Sequence, residues 1–427
     1  MTTKFWEDAN EYLMYTGVPP VKDIIVKTQG TRLYTENGSI LDFTSGQMSA
    51  LLGHCHPEVA ECVSYYASNL DHLLSNMITE PVVSLAKNLA AVLPPSLSKS
   101  FFLNTGSEST EAALKMAKVA TKKFEIVAFG NSYHGLTQGA SGATYSVGRK
   151  NGVPTVPGMI VFPTPNKLTS PFKTASGDYD WQTEMDFAWS LVDAQSVGSL
   201  AAFILEPILS SGGMLVLPDG YLARLSAECK ARDMLLILDE AQTGVGRTGN
   251  MFAFEKHGVI PDILCLSKTL GAGLPLASVT TTDAVAKQLT ENKFIWLTTH
   301  MNDPLVAAVG NKVLEIVVRD NLAKNAAERG SELLRGLNSL KDEFDCVLDV
   351  RGEGLFCGLE LTNEGDLGQL VSDAAMVNGL SCNIVRLPNM ANVFRIAPPL
   401  TVTAEEIQEG IDILRKSISE VLKTKAN

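Results

Sequence analysis

Between Pro81 and Pro304 the chain alternates short, almost continuous apolar runs with longer amphipathic stretches. The clearest runs are Glu125–Phe129, Leu200–Leu205, 234–238 and 262–266. A strand apolar at every position is buried on both faces, so these runs predict a mainly parallel sheet covered by helices on each side. The best helix is 107–123, where Ala112, Ala113, Met116, Ala117 and Ala120 fall on one face. After Pro304 the texture changes. Residues 305–340 read as long helical material, and 347–361 read as two strands joined by a glycine-containing turn. A polar helix, strands near 381–385 and 393–397, and a closing helix from Ala404 complete an α+β unit. The first 50 or so residues, with a strand-like 23–27, carry no core of their own and are expected to pack on that unit. The predicted architecture is α/β, with an N-terminal segment 1–54, a large domain 55–313 and a small α+β domain 314–427.

Composition narrows the class. The 427 residues are 45% hydrophobic and carry a net charge of −12, so a large core is available and no basic surface invites nucleic acid. Seven scattered cysteines without a C-x-x-C pair fit a reduced, cytoplasmic protein. Residues 1–15 carry Glu7, Asp8 and Glu11 and match no targeting peptide, and the last residues match no anchor signal. No apolar stretch is long enough to span a membrane.

Two apolar runs end in chemistry. The stretch 234–249, MLLILDEAQTGVGRTG, sets Asp239 just past a strand, and 262–275, DILCLSKTLGAGLP, does the same for Lys268. In an open α/β sheet ligands sit beyond the carboxyl ends of the strands. A lysine there forms a Schiff base with an aldehyde when its surroundings lower its pKa, and an aspartate nearby keeps a pyridinium nitrogen protonated. Taken singly, Asp239 reads more readily as a helix cap and Lys268 as a solvated loop residue; together, in glycine-rich settings, they point to a cofactor site. A third stretch, 101–113 (FFLNTGSESTEAA), is a strand, a turn and a helix start, which makes Thr105, Gly106 and Ser107 candidate phosphate ligands. By itself Ser107 also reads as an ordinary N-cap.

These elements, with Asn131-Ser-Tyr-His-Gly135, resemble the class III, or omega, aminotransferases of pyridoxal-phosphate fold type I along essentially the whole chain. The resemblance implies a large domain with a seven-stranded-type, mainly parallel sheet, a small α+β domain and pyridoxal 5'-phosphate (PLP) on Lys268. It further implies that Asp239 pairs with the ring nitrogen, Tyr133 stacks on the ring beside His134, and Gln242, next to Ala241, contacts the ring hydroxyl. Glu206 is expected to orient active-site partners. Thr299 is expected to reach the phosphate of a neighbouring subunit, which implies a homodimer or a dimer of dimers.

Within the class the chain is most similar to the 2,2-dialkylglycine decarboxylases, through 42–57 (DFTSGQMSALLGHCHP), 70–75 (LDHLLS), 206–213, 298–304 (TTHMNDP) and 383–400. That resemblance implies that Gln47 binds a departing carboxylate, Arg395 holds the carboxylate that stays, and Met48 and Ser211 line the side-chain pockets. Charge logic agrees with the division. A carboxylate that leaves as CO2 loses its charge, so an arginine would stabilise it more before reaction than at the transition state, whereas a neutral amide positions it without that cost.

The same resemblance implies an alkali-metal ion (K+ or Na+) held by carbonyls of Leu73, Thr299 and Met301, the Ser75 hydroxyl and the Asp303 carboxylate. His54 and His56, in a glycine-rich loop, read as structural rather than zinc-binding. Three departures stand out: Tyr133 replaces the tryptophan of the bacterial decarboxylases, Leu93 replaces a threonine of a second cation site, and the loop after Glu360 is short. The expected activity is decarboxylation of a 2,2-dialkylglycine such as 2-aminoisobutyrate coupled to amination of pyruvate. The alternatives are an omega-aminotransferase or a C–C-bond-forming relative.

Overall fold

The computed structural model describes residues 2–17, 20–21, 23–146, 156–385 and 392–426. Its centre is a seven-stranded sheet in the order Leu97–Leu103, Ala277–Thr282, Ile263–Leu266, Leu235–Asp239, Leu200–Leu205, Glu125–Phe129, Met159–Phe162. The inner pairings are parallel, and only Ala277–Thr282 runs against its neighbours. The reason is local. The chain returns from Lys268 to Ala277 through one short 3-10 turn, Lys268–Gly271, and a parallel return would need a crossover of a dozen residues or more.

Alternate residues of each strand feed opposite faces. Val127, Phe129, Phe203 and Leu264 pack on one side with Phe162, Trp189 and Tyr221, while Ile126, Ala128, Ile204, Ile237 and Ile263 pack on the other. The second face is covered by the helix Gly106–Thr121. Ala112, Ala113, Met116, Ala117 and Ala120, the face expected from periodicity, are all buried there.

Beyond Pro304 come two helices, Pro304–Arg319 and Leu322–Glu343, separated by Asn321 in the left-handed conformation. The expected boundary at 313/314 thus falls inside the first of them. An antiparallel four-stranded sheet follows, ordered Val347–Glu353, Phe356–Leu361, Val393–Ile396, Asn383–Val385. The helix expected to be polar, Leu367–Val377, in fact buries Leu367, Val371 and Ala375. The amino-terminal strands Ile25–Gln29, Arg32–Thr35 and Gly38–Asp42 form a sheet completed by Leu380–Ser381 from the far end of the chain. Arg32 bonds to Glu409 of the last helix at 3.1 Å, and Thr31 bonds to Glu406 beside it. Among the described residues no helix is long and apolar enough to cross a membrane.

Candidate active site

A cavity of about 1570 Å³ opens at the carboxyl ends of the central strands. Gln47, Thr105, Gly106, Ser107, Tyr133, His134, Glu206, Ser211, Asp239, Ala241, Gln242, Lys268 and Arg395 all line it. Gln47 and Arg395 thus meet in one space although they come from opposite ends of the chain. Their neighbouring segments are joined directly, by a bond from the Ser45 hydroxyl to the Ala397 carbonyl that spans 352 positions.

Asp239 closes the strand Leu235–Asp239, opposite Cys265 of Ile263–Leu266, and Lys268 lies just beyond that second strand. Asp239 is 6% exposed. Its Oδ2 lies 2.8 Å from His134 Nδ1, and its Oδ1 accepts from the Ala241 amide at 3.1 Å. Lys268 is half-buried in the cavity wall. Desolvation pulls its pKa down, Asp239 and Glu206 push back, and Arg395 adds to the lowering. The outcome is a lysine shifted toward its uncharged, nucleophilic form.

At the far end, Arg395 is also pushed below its usual range by burial, with Glu206 and Tyr133 opposing. Its Nη1 lies 3.4 Å from Ser211 Oγ. Glu206 sits between these cations. Its carboxylate accepts from the Tyr133 amide at 3.0 Å and the Ser210 amide at 3.2 Å, and burial raises its pKa to about 7. Burial likewise raises the Tyr133 phenol, helped by the charge on Glu206.

Gln47 stands on a strained turn. Ser45 has φ 47°, Gly46 φ 63° and Met48 φ 61°, and a positive φ at a non-glycine residue costs on the order of 1–3 kcal/mol. Buried Asp42 holds this turn: its carboxylate accepts from the Thr44 amide at 2.9 Å and the Gly46 amide at 2.7 Å, and lies 2.8 Å from His54 Nε2. Burial alone would raise the Asp42 pKa, but the bonds from His54, Thr44 and Gly46 outweigh it and hold the group low. His54 is thus a structural partner of that turn.

The residues present fit PLP. The helix Gly106–Thr121 begins at the cavity, with Thr105 as its N-cap accepting from the Glu108 amide. Ser107 Oγ accepts from the Leu136 amide at 3.1 Å, which leaves its proton for a phosphate oxygen. A Cβ on Gly106 would lie 2.9 Å from Ser267 Oγ, so a larger residue there would displace that hydroxyl. Gln242 Oε1 accepts from Ser210 Oγ at 2.9 Å, which frees its NH2 to donate. Buried His134 Nε2 has no protein partner among the described residues.

The remaining residues singled out in the sequence lie away from this cavity or outside the described residues. Met48 does not line the cavity; it is buried among Ile208, Met214, Phe356, Val393 and Ala397 beneath it. Thr299 is exposed and lies off the cavity of its own chain. Leu93 belongs to the main apolar core and offers no cation ligand. Of the segment 383–400, residues 386–391 lie outside the described residues.

At the set named for an alkali ion, the Asp303 carboxylate is engaged by two histidines. Asp303 Oδ1 lies 2.7 Å from His72 Nδ1 and its Oδ2 2.6 Å from His300 Nδ1, so both carboxylate oxygens face nitrogens. Ser75 Oγ donates to the Thr298 carbonyl at 2.8 Å. Leu73, Thr299 and Met301 sit on the same two segments, and the histidines His72 and His300 add nitrogen donors beside them. The sequence reading weighed His54 and His56 and missed this pair; the signal lay in LDHLLS and TTHMNDP, where a histidine stands in each of two stretches already singled out.

Residues 14–418 match the class III aminotransferase family. An uncharacterized aminotransferase of Schizosaccharomyces pombe is 48% identical, over 98% of this chain and 95% of its own. The human mitochondrial alanine–glyoxylate aminotransferase 2 is 31% identical, over 92% of this chain and 80% of its own. Among solved structures, a PLP-bound amine transaminase from an uncultivated Pseudomonas species is 26% identical with a TM-score of 0.88, covering 96% of this chain and 98% of that one. With the seven-stranded sheet, the cavity-lining Lys268 and the Asp239–His134 pair in place, the chain belongs to the class III aminotransferases, PLP-dependent enzymes of fold type I.

Proposed function

We propose that this enzyme moves an amino group from an amine or amino acid to a 2-oxo acid, as an omega-aminotransferase does. One observation carries the reading: Lys268 and Arg395 line one cavity, with an acid–base pair, Asp239 and His134, beside the lysine. Bound PLP supplies the aldehyde with which Lys268 condenses and a ring that takes up electrons when a bond at the substrate's α-carbon breaks. Thr105, Gly106 and Ser107 hold its phosphate, Asp239 keeps the ring nitrogen protonated, Tyr133 covers the ring, and Gln242 donates to the ring hydroxyl.

Lys268 Nζ, shifted toward its neutral form by burial, takes a proton from the α-carbon and returns it elsewhere. Arg395 anchors a carboxylate that keeps its charge throughout, and Ser211 steadies that guanidinium. Both partner classes named among the relatives, an amino acid donor and an amine donor, suit a site whose one described arginine anchor serves carboxylates and whose remaining wall is mixed.

Gln47 favours a second reading, decarboxylation of a 2,2-dialkylglycine with pyruvate as amino acceptor. Its neutral amide lines the same cavity as Arg395, where it suits a carboxylate about to leave. The holoenzyme, given pyruvate and either alanine isotopologues, a simple amine or 2-aminoisobutyrate, decides between them. Amine or alanine turnover without CO2 from 2-aminoisobutyrate supports the first reading; CO2 release that exceeds amine turnover supports the second; neither would overturn both.

Two further features belong to the proposal. Exposed Leu74, Met77, Ile78, Ile295 and Leu297 flank exposed Thr299, which supports a homodimer in which Thr299 reaches the partner's phosphate site. The seven free cysteines suit a reducing compartment, in keeping with a cytoplasmic location.

A further inference from the structure

We propose that His72, His300 and Asp303 bind a divalent transition-metal ion of the Zn2+ type, at a site outside the catalytic cavity. The three side chains come from two segments. His72 lies between the helices Pro57–Asn69 and Glu80–Val92, while His300 and Asp303 lie just before the helix Pro304–Arg319. Their ligand atoms all fall within 4.8 Å of one another. The imidazole centroids are 4.6 Å apart, tilted by 47°, and each Nδ1 faces a different oxygen of the one carboxylate.

Metal–nitrogen and metal–oxygen bonds of about 2.0–2.2 Å place neighbouring ligand atoms of a tetrahedral site roughly 3.4 Å apart. The observed contacts of 2.7 and 2.6 Å therefore have to open by less than about 1 Å to admit an ion. The side chains have that freedom, since His72 is 44% and His300 55% exposed, whereas Asp303 is held at 10%.

The backbone under the site is fixed by other groups. Asn302 bonds to both polar atoms of Phe102 on the sheet edge, its amide to the carbonyl at 3.0 Å and its side chain to the amide at 2.9 Å. Ser75 ties the His72 segment to the Thr298 carbonyl. Preset backbone with mobile ligand tips is what a site of modest reorganisation cost requires. Two imidazoles and one carboxylate match a borderline ion, not a hard alkali ion, and three protein ligands leave a position for water. Occupancy would join the His72 segment to the 298–303 loop.

The test uses the full-length holoenzyme, stripped with a chelator and exchanged into a potassium buffer. Zn2+ is titrated by equilibrium dialysis, and Co2+ is used as a visible-absorption probe, in the wild type, His72→Gln, His300→Gln and the double variant. The expected result is one ion per chain, a Co2+ ligand-field spectrum of low coordination number, and a loss of affinity of at least about tenfold in each single variant with unchanged circular dichroism. Both side chains are exposed in the single chain, and sizing of each variant shows whether its oligomeric state is kept. Equal Zn2+ binding by the wild type and the double variant would place the ion elsewhere, on cysteines for instance, and overturn the site. So would absence of binding at millimolar Zn2+, or a rise in melting temperature with K+ that Zn2+ does not produce. None of these readouts depends on the aminotransferase reading.

Discussion

Replacing Arg395 with glutamine tests the proposed carboxylate anchor most directly. The guanidinium is half-buried in the cavity wall and its pKa is pulled down by desolvation, so a substrate carboxylate gains a charge-assisted partner partly shielded from water. Losing such a contact at a desolvated site costs on the order of 2–4 kcal/mol, or roughly 30- to 1000-fold in kcat/KM. The loss should fall on alanine and pyruvate, which present an in-plane carboxylate, and spare an amine donor that has none. Gln47→Ala provides the contrast: it is expected to slow CO2 release from 2-aminoisobutyrate while leaving alanine turnover nearly intact. Single-turnover absorbance of the cofactor with each donor separates the half-reactions. An Arg395→Gln enzyme slowed equally on amine and alanine would refute the anchor, because the damage would then lie in the cofactor site that both donors share. Equal slowing of both half-reactions by Gln47→Ala would remove the departing-carboxylate role and leave plain transamination.

Further predictions are independent of that pair. Lys268→Ala should abolish turnover and leave no cofactor fixed to the chain after borohydride reduction; a covalent adduct in the variant would show that another lysine holds PLP. Burial raises the Glu206 carboxyl to about 7, so its stabilising contribution is present at low pH and lost as pH rises through that value. Once ionised, it competes for Arg395, so KM for pyruvate should climb between about pH 6 and about pH 8, and Glu206→Gln should flatten the climb; parallel profiles would exclude Glu206. A Cβ on Gly330 would overlap the Gly354 carbonyl, so Gly330→Ala should destabilise by about 1–3 kcal/mol in denaturant melts, and an unchanged midpoint would contradict the packing.

The central strands were legible because they are apolar on both faces. Leu200–Leu205 and Glu125–Phe129 are buried at every position, which leaves a continuous run that no surface helix would show. Ala277–Thr282 escaped notice for the opposite reason. Its Ser278, Thr280 and Thr281 are buried but polar, with Thr280 Oγ1 2.8 Å from Ser100 Oγ and Thr281 Oγ1 bonded to the Asp262 carbonyl at 2.7 Å. The two threonine hydroxyls, satisfied this way, sit in a core without hydrophobic periodicity. Met159–Phe162 is a short edge strand with one side exposed, so its pattern is weak. In the site, Lys268, Asp239 and the 101–113 turn were readable because strand ends and glycines mark them locally. The pairing of Asp303 with His72 was not: that bond spans 231 positions and depends on how two loops meet at the sheet edge.

The substrate end of the cavity shows why sequence proximity was a poor guide there. Gln47 and Arg395 belong to opposite ends of the chain, yet their segments are bolted together beside the cavity. The Ala397 amide donates to the Phe43 carbonyl at 2.7 Å, and Ser45 Oγ donates to the Ala397 carbonyl at 2.5 Å. Ser45 is wholly buried, so that second bond is not shared with water. The turn carrying Gln47 is strained at Ser45 and Met48, and a strained turn persists only where its surroundings over-determine it. Asp42 and His54 supply one set of constraints and Ala397 the other. The strand bearing Arg395 therefore helps to hold the strain in the turn bearing Gln47. A change that shifts Val393–Ile396 is transmitted to both groups, so the spacing between the two candidate carboxylate contacts is set by this junction rather than by either side chain alone.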